Sequence, residues 1–273
     1  MELVVFDLDG TLLNSRSVIS DFTRETLAKL AQRNIAYTVA TGRTLHASRD
    51  IIAGHGFALP QAYKNGVVIW DPTAGAFSHH NVLTHSETAH VMQACEQERV
   101  TPFVFTMVSN NDHAIYHAEP KNAAENYVIN EYSLKRGLVA HPIEQLPTDA
   151  RICNISAVGD TGSIKAITDI VADEPHLVAY WGVAMEDKHL SWLDIHHSDA
   201  SKGSAVVTLK DILGVERIVC FGDSDNDLSM FERADESYAP QNAKEYVKDK
   251  ATAVIGHNDE DGIARFLRER FSL

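Results

Sequence analysis

The chain has 273 residues, 44% hydrophobic and 23% charged, which is typical of a globular protein and long enough for two domains. Its formal net charge of −14 disfavours a nucleic-acid backbone or an anionic membrane as partner, and no apolar run has the length of a membrane span. Because the three cysteines have no paired spacing and no signal peptide is recognised, we expect a cytoplasmic protein with reduced thiols.

The first predicted element is a buried strand that ends in two carboxylates. An apolar run from Leu3 to Phe6 leads into Asp7 and Asp9, and Gly10 then permits a sharp turn. In parallel α/β sheets, ligands bind beyond the carboxyl ends of the strands, so both carboxylates stand where chemistry is expected. Two close carboxylates repel each other, and a divalent cation relieves that repulsion. Taken alone, a strand end followed by an Asp-Gly turn explains the pattern equally well.

A second strand and helix follow. Residues 21–34 have the apolar spacing of a helix, residues 35–40 predict a strand, and Thr41-Gly42-Arg43 opens another helix. This alternation predicts a parallel sheet with helices on its faces. A Thr hydroxyl beside the N–H groups of a helix start suits a phosphate oxygen, although in isolation a cap or turn is the better explanation. Further on, Asn65-Gly66 predicts a hairpin turn between two strands.

The C-terminal part repeats the pattern of a strand that ends in acidic residues. The run Arg217–Phe221 predicts a strand, and Asp223, Asn226 and Asp227 follow it. Before that strand, Lys202 falls in the first turn of a predicted helix, where the helix dipole disfavours a cation unless a bound dianion compensates. A solvated lysine and a polar turn are the plainer explanations of each feature alone.

Four motifs, in this order, resemble those of the haloacid dehalogenase superfamily. They are Asp-x-Asp-Gly-Thr at 7–11, Thr-Gly-Arg at 41–43, Lys-Gly at 202–203 and Gly-Asp-x-x-Asn-Asp at 222–227. Within the superfamily the chain is similar to the Cof-type phosphatases, whose cap domain is inserted late in the chain. The similarity extends to Gln241-Asn242-Ala243 and to the run from Asp259 to Gly262.

The resemblance implies a Rossmann-like α/β core, a doubly wound parallel sheet, with an inserted α+β cap domain. We expect the core in residues 1–82 and 190–273 and the cap in residues 83–189. Helical patterns and strand-like runs are mixed in the cap segment, which carries none of the family's catalytic motifs. We expect its inner face to lie over the active site and to set substrate specificity.

The family's functional residues carry over onto matching positions of this chain. Asp7 is expected to be the nucleophile that forms an aspartyl phosphate, and Asp9 the general acid and base. Mg²⁺ would be held by Asp7, Asp223 and the backbone carbonyl of Asp9. Asp227 and Arg43 would act directly or support the site. The expected phosphate-binding residues are Leu8, Thr41, Gly42, Lys202 and Asn226.

These residues favour a Mg²⁺-dependent phosphatase for a small soluble phosphomonoester, such as a sugar phosphate, a nucleotide or pyridoxal 5′-phosphate. Related cation-pumping ATPases have Lys at the position of Asp9, so Asp9 favours hydrolysis of an ordinary ester. A sugar phosphomutase on the same scaffold remains an alternative. A non-enzymatic phosphate-binding protein is another, although the full set of catalytic residue types argues against it. We expect a monomer without nucleic-acid or membrane partners.

Overall fold

The computed structural model describes residues 2–109, 112–135, 138–183 and 189–273. In chain order the strands are β1 (Glu2–Phe6), β2 (Ala36–Val39), β3 (Gln61–Tyr63), β4 (Val68–Asp71), β5 (Ala76–His80), β6 (Pro102–Ser109), β7 (Asp112–His117), β8 (Val139–Pro142), β9 (Arg151–Asp160), β10 (Leu177–Val183), β11 (Leu190–His197), β12 (Arg217–Phe221), β13 (Glu236–Pro240) and β14 (Ala253–Ile255). The α-helices are α1 (Asp21–Gln32), α2 (Leu45–Ile52), α3 (His85–Gln97), α4 (Ala123–Asn130), α5 (Thr161–Ala172), α6 (Lys202–Leu213), α7 (Leu228–Phe231), α8 (Glu245–Lys248) and α9 (Gly262–Arg270).

The first compact unit, Met1–His79 with Ala200–Leu273, is built on a parallel five-stranded sheet. The strand order is β14-β13-β12-β1-β2, so β1 is central, between β12 and β2. The side chains from Leu3 to Phe6 are fully buried, as expected for a parallel strand covered on both faces. The predicted doubly wound α/β core is therefore confirmed.

Helices cover both faces of this sheet because successive side chains of β1 point in opposite directions. Leu3 and Val5 share an apolar cluster with Val206 and Leu209 of α6. On the other face, the ring of Phe6 packs 5.4 Å from that of Phe221, which in turn lies 5.9 Å from Phe266 of α9. A separate three-stranded sheet in the order β3-β4-β5 follows α2 in the chain.

The second unit, His80–Asp199, contains a six-stranded sheet in the order β10-β11-β9-β6-β7-β8. Within the described residues, neighbouring strands of this sheet run antiparallel, apart from the parallel pair β7 and β8. Buried residues of α3 and α5 pack on one face of the sheet, and α4 packs over Phe103 and Phe105 on the other. This mixture of strands and helices agrees with the predicted inserted α+β segment.

The unit boundaries differ from the expected ones, mainly at the C-terminal joint. We expected the chain to return to the core near residue 190, but β11 pairs with β9 and β10 inside the second unit. The return therefore comes after Asp199, and the first joint lies at residues 79–80 rather than 82–83. In the described part of the chain, every helix is too short or too polar to cross a membrane.

Candidate active site

Asp7 follows the last residue of β1 and is buried at the carboxyl edge of the parallel sheet. Its N–H donates to the carbonyl of Phe221 at 2.9 Å, which extends the pairing of β1 with β12. The chain then turns sharply over Leu8–Leu12, where the N–H of Leu12 closes on the carbonyl of Asp7 at 3.2 Å. Gly10 adopts φ +72° in this turn, a conformation open to glycine at little cost. Sheet and turn together fix the direction of the Asp7 carboxylate.

Lys202 brings a buried positive charge to Asp7. Its ammonium donates to Asp7 Oδ1 and to Asp227 Oδ1, each at 2.6 Å, and the lysine side chain is fully buried. The two carboxylates raise the pKa of Lys202, against the opposing effect of burial, so this lysine stays charged. A buried ammonium is tolerated here because each neighbouring carboxylate offsets part of its desolvation cost.

Two local features place Lys202 in the first turn of α6. The hydroxyl of Ser201 caps the helix by accepting the N–H of Ser204 at 3.0 Å. Gly203 then lets α6 approach the neighbouring chain, since a Cβ at this position would lie 2.3 Å from the carbonyl oxygen of Ser229. The Gly203 N–H donates to the Ser229 hydroxyl at 3.1 Å. The small residue after the lysine therefore permits the close packing that buries it.

The loop after β12 is organised by Asp227. Its Oδ2 accepts the backbone N–H groups of Asp223 at 2.8 Å and of Ser224 at 3.0 Å, while its Oδ1 is bound by Lys202. Asp223 Oδ1 accepts the hydroxyl of Thr11 at 2.8 Å, which connects this loop to the turn after β1. Asp227 thus holds Lys202 and the Asp223 loop at the same time.

The acidic cluster fits a divalent cation. One carboxylate oxygen from each of Asp7, Asp223 and Asp227 lies within 4.8 Å of the others. Burial, with Asp227 adding to it, raises the pKa of Asp223 to about 6. Burial also raises the pKa of Asp7 well above its ordinary value, although Lys202 acts in the opposite direction. Three carboxylates facing one ammonium carry excess negative charge, and carboxylate oxygens are the ligands that Mg²⁺ prefers.

Asp9 lies apart from this cluster. Its side chain is 53% exposed and accepts two hydrogen bonds from Arg43, Nε to Oδ2 at 2.6 Å and Nη2 to Oδ1 at 2.5 Å. Arg43 also donates to the carbonyl of Ala47 at 3.2 Å, which anchors the guanidinium to α2. From the sequence, Arg43 either acts directly or supports the site, and no pattern in the sequence pairs it with Asp9.

The remaining predicted residues lie on loops that hydrogen bonds connect. Thr41 is buried after β2, and its hydroxyl accepts the N–H of Arg43 at 3.2 Å. Asn65 accepts the side-chain amide of Asn226 at 2.9 Å, and a Cβ at Gly42 would lie 3.1 Å from the same Asn65 oxygen. The loops after β2, β3 and β12 therefore converge at this edge of the sheet. Leu8, in the turn after Asp7, is buried.

Two residues of the C-terminal part hold the segment after β1, although no role could be assigned to them from the sequence. The C-terminal run that resembles the family contributes Asn242, whose amide donates to the carbonyl of Gly10 at 2.7 Å. Asp259 accepts the N–H of Ser15 at 2.6 Å. Both residues lie in the two C-terminal segments that resemble the family, and this resemblance is the only sequence feature that points to them.

The family's sequence model, described as haloacid dehalogenase-like hydrolase, matches residues 4–267. This chain belongs to that family. Among its relatives, the 5-amino-6-(5-phospho-D-ribitylamino)uracil phosphatase YitU of Bacillus subtilis is 28% identical over 99% of this chain and 98% of its own length. The pyridoxal phosphate phosphatase YbhA of Escherichia coli is 24% identical over 97% of each chain.

Solved structures of haloacid dehalogenase-like hydrolases share the fold. One from Bacillus subtilis has a TM-score of 0.76 at 26% identity and covers 98% of this chain and 99% of its own. With these relatives, the predicted enzyme class, a phosphoric monoester hydrolase of the haloacid dehalogenase superfamily, is confirmed. The alternative of a non-enzymatic phosphate-binding protein is thereby disfavoured.

Proposed function

We propose that this haloacid dehalogenase-like hydrolase is a Mg²⁺-dependent phosphatase that cleaves a small phosphomonoester through an aspartyl phosphate on Asp7. The observation that carries this proposal is the buried contact of the Lys202 ammonium with Asp7 Oδ1 at 2.6 Å, inside a cluster of carboxylates. Phosphoryl transfer needs chiefly positioning and charge neutralisation, and this arrangement offers both.

The cation would be held by Asp7, Asp223 and the backbone carbonyl of Asp9. When bound, Mg²⁺ supplies neutralisation of the negative charge shared by these carboxylates and the phosphoryl oxygens. Asp227 supports this set, because its two oxygens are occupied by Lys202 and by the N–H groups of the Asp223 loop.

The chain's own residues account for the two chemical steps. In the first, an oxygen of Asp7 attacks the phosphorus, the phosphorus–oxygen bond to the alcohol breaks, and protonated Asp9 gives its proton to the leaving oxygen. Lys202 binds Asp7 Oδ1 and leaves Oδ2 without a hydrogen bond within the described residues. In the second, Asp9 takes a proton from water, which attacks the phosphorus, releases phosphate and restores Asp7.

Phosphate binding is assigned to the loops that meet at the carboxyl edge of the sheet. We propose that its oxygens contact Lys202, Thr41, Asn226 and the backbone around Leu8 and Gly42. YitU and YbhA are named for small phosphorylated metabolites, and we propose a substrate of that size for this enzyme. No observation favours the alternative of a sugar phosphomutase, in which the phosphoryl group would pass to a sugar instead of to water. A monomeric, cytoplasmic protein without nucleic-acid or membrane partners stays a prediction.

The test is phosphate release from p-nitrophenyl phosphate and a panel of phosphate esters, with Mg²⁺ or with EDTA. We expect release to require Mg²⁺ and no bisphosphate activator, and Asp7→Asn to lower kcat by at least about 10³-fold. Asp225→Asn is the matched control, since this exposed carboxylate of the same loop binds Lys244 and Tyr246 instead of the cluster. Normal turnover by Asp7→Asn would exclude the aspartyl phosphate on this residue.

A further inference from the structure

The short turn Lys64–Gly66, which joins β3 to β4, has an unusual backbone. Its residues adopt φ values of 49°, 55° and 93° in succession, all in the left-handed region. Glycine enters this region at little cost, but Lys64 and Asn65 each carry a Cβ that disfavours it. Backbone held in an unfavourable conformation is typical of functional sites, where the surrounding contacts impose it. The contacts of this turn therefore indicate its role.

Backbone hydrogen bonds fix the turn to the loop that carries Thr41. The Asn65 N–H donates to the carbonyl of Thr41 at 3.0 Å, and the Lys64 N–H donates to the carbonyl of Arg43 at 2.9 Å. Main-chain groups alone make these two bonds, so they do not depend on the side chain at position 65. The path of the turn is thus set independently of the Asn65 side chain.

Gly66 brings the same turn into contact with the start of α6. A Cβ at Gly66 would lie 2.3 Å from the carbonyl oxygen of Ser201, the residue that caps α6, and 3.0 Å from the Cβ of Ala205. Ser201 immediately precedes Lys202, whose ammonium binds Asp7. The turn therefore lies against both the loop after β2 and the helix start that carries the buried lysine. All of these residues belong to the first unit.

The side chain of Asn65 contacts a third part of the site, Asn226. Asn65 is only 6% exposed, and its Oδ1 accepts a hydrogen bond from Asn226 Nδ2 at 2.9 Å. A Cβ at Gly42 would lie 3.1 Å from this Asn65 oxygen and 3.7 Å from Asn226 Nδ2, so the amide nitrogen of Asn226 lies beside Gly42. Within the described residues, this nitrogen donates to Asn65 alone. Because an amide nitrogen carries two hydrogens, a second N–H of Asn226 stays available.

We propose that Asn65 is a positioning residue for phosphate binding, since its side-chain oxygen orients the Asn226 amide and leaves the second N–H for a phosphate oxygen. If the Asn226 amide were rotated by half a turn, its oxygen would replace its nitrogen and would repel the phosphate. Asn65 disfavours that rotation, because the two amide oxygens would then lie against each other. This inference rests on the proposed function, in which Asn226 contacts the phosphate.

The experiment removes the side chain of Asn65 and keeps its backbone. Asn65→Gly adopts the left-handed conformation at little cost, so the backbone bond to Thr41 should remain. The measured quantities are kcat/KM for p-nitrophenyl phosphate with Mg²⁺ and the inhibition constant of inorganic phosphate. Loss of the hydrogen bond that orients Asn226 is expected to lower kcat/KM about tenfold and to raise the inhibition constant about tenfold.

A double-mutant cycle with Asn226→Ala distinguishes positioning from a merely structural role. If Asn65 acts through Asn226, then Asn65→Gly should change neither quantity by more than about twofold once residue 226 has lost its amide. A structural role would give the same loss in both backgrounds. The tenfold loss repeated in Asn226→Ala, or unchanged constants in Asn65→Gly alone, would overturn the proposal.

Asn34→Gly is the matched control. Asn34 is an exposed residue between α1 and β2 and has φ 56°, so the same substitution at the same backbone conformation should leave both constants unchanged. Thermal melting of every variant checks that it folds. Asn65→Ser, which also lacks the amide oxygen, replaces Asn65→Gly if that variant does not fold.

Failure of this inference can be told apart from failure of the proposed function. If the unaltered enzyme hydrolyses none of the phosphate esters, the proposed function fails, and calorimetric titration of the full chain with inorganic phosphate and Mg²⁺ then tests Asn65 by itself. Asn65→Gly is expected to weaken phosphate binding about tenfold. Unchanged phosphate binding would exclude the positioning role.

Discussion

Arg43 and Asp9 form a two-pronged ion pair, with Nε 2.6 Å from Oδ2 and Nη2 2.5 Å from Oδ1. The pair lies at the boundary with solvent, where the side chains of Arg43 and Asp9 are 23% and 53% exposed. It fixes the direction of the carboxylate to which we assign proton transfer. We therefore propose Arg43 as a positioning residue for Asp9, although it lies outside the acidic cluster.

Replacing Arg43 with Ala is expected to slow the chemical step more than it weakens the fold. We expect kcat to fall about 10- to 100-fold, because a misplaced catalytic group costs that much. The free energy of unfolding should change by less than about 1 kcal/mol, as for other exposed ion pairs. Steady-state kinetics and urea denaturation measure the two effects. Arg49→Ala, an exposed arginine of α2, is the control, and an unchanged kcat in Arg43→Ala would refute the positioning role.

Replacing Lys202 with Met keeps most of the length of the side chain and removes its charge. Asp7 and Asp227 would then be buried without their cation, so we expect a loss of about 3–5 kcal/mol in the free energy of unfolding. Mg²⁺ should restore part of this loss, since it compensates the same carboxylates. Urea denaturation in EDTA and in Mg²⁺ measures both quantities.

A second lysine of α6 provides the comparison for Lys202. Lys210 lies in the last turn of that helix and is partly exposed, so Lys210→Met should have a small effect that Mg²⁺ does not alter. If Lys202→Met were as stable as the unaltered protein in EDTA, the excess negative charge inferred for the cluster would be wrong.

Convergence of the acidic loops could be predicted, because it follows from local patterns and one topological rule. Asp7 and Asp223 each come just after an apolar strand, and parallel neighbouring strands present their carboxyl ends at one edge. The structure places β1 beside β12, and the two loops meet there. Only the family resemblance predicted that Lys202 would lie beside these loops, since a lysine in the first turn of a helix alone indicates a solvated side chain.

Other features depend on contacts that no local pattern encodes. The run Leu190–His197 carries no local signal of which sheet it joins, so its membership in the second unit could not be derived from its residues. Asn65 stands in the predicted turn between β3 and β4, but its left-handed conformation, φ 55°, and its bond to Asn226 depend on a loop far along the chain. The pairing of Arg43 with Asp9 is likewise a choice of side-chain orientation.

The raised pKa of Asp223 predicts a pH-dependent effect of Mg²⁺. The ordinary value of 3.8 rises to about 6 in the folded state, so between these values the folded protein binds more protons than the unfolded one. Without metal, the free energy of unfolding should therefore fall as pH rises through this window and level off above it. Mg²⁺ binds the ionised carboxylate, so the rise in Tm caused by Mg²⁺ should grow across the same window.

Calorimetric melting at several pH values, with EDTA or Mg²⁺, measures this coupling. Asp223→Asn serves as the control, because it cannot titrate and should lose most of the pH-dependent part of the Mg²⁺ effect. A Mg²⁺-induced rise in Tm that stays constant across the window would show that Asp223 does not take part in cation binding.

Gly10 offers a test of how the turn after β1 shapes the acidic cluster. A Cβ at Gly10 would lie 2.5 Å from Asp223 Oδ2, and the residue has φ +72°. Gly10→Ala should thus cost about 1–2 kcal/mol for the left-handed backbone and, in addition, displace the Asp223 carboxylate. Gly75→Ala separates the two effects, because Gly75 has φ +62° with no atom within 4 Å of its Cβ position. We expect weaker Mg²⁺ binding and lower kcat in Gly10→Ala alone; equal behaviour of the two variants would mean that the turn leaves Asp223 undisturbed.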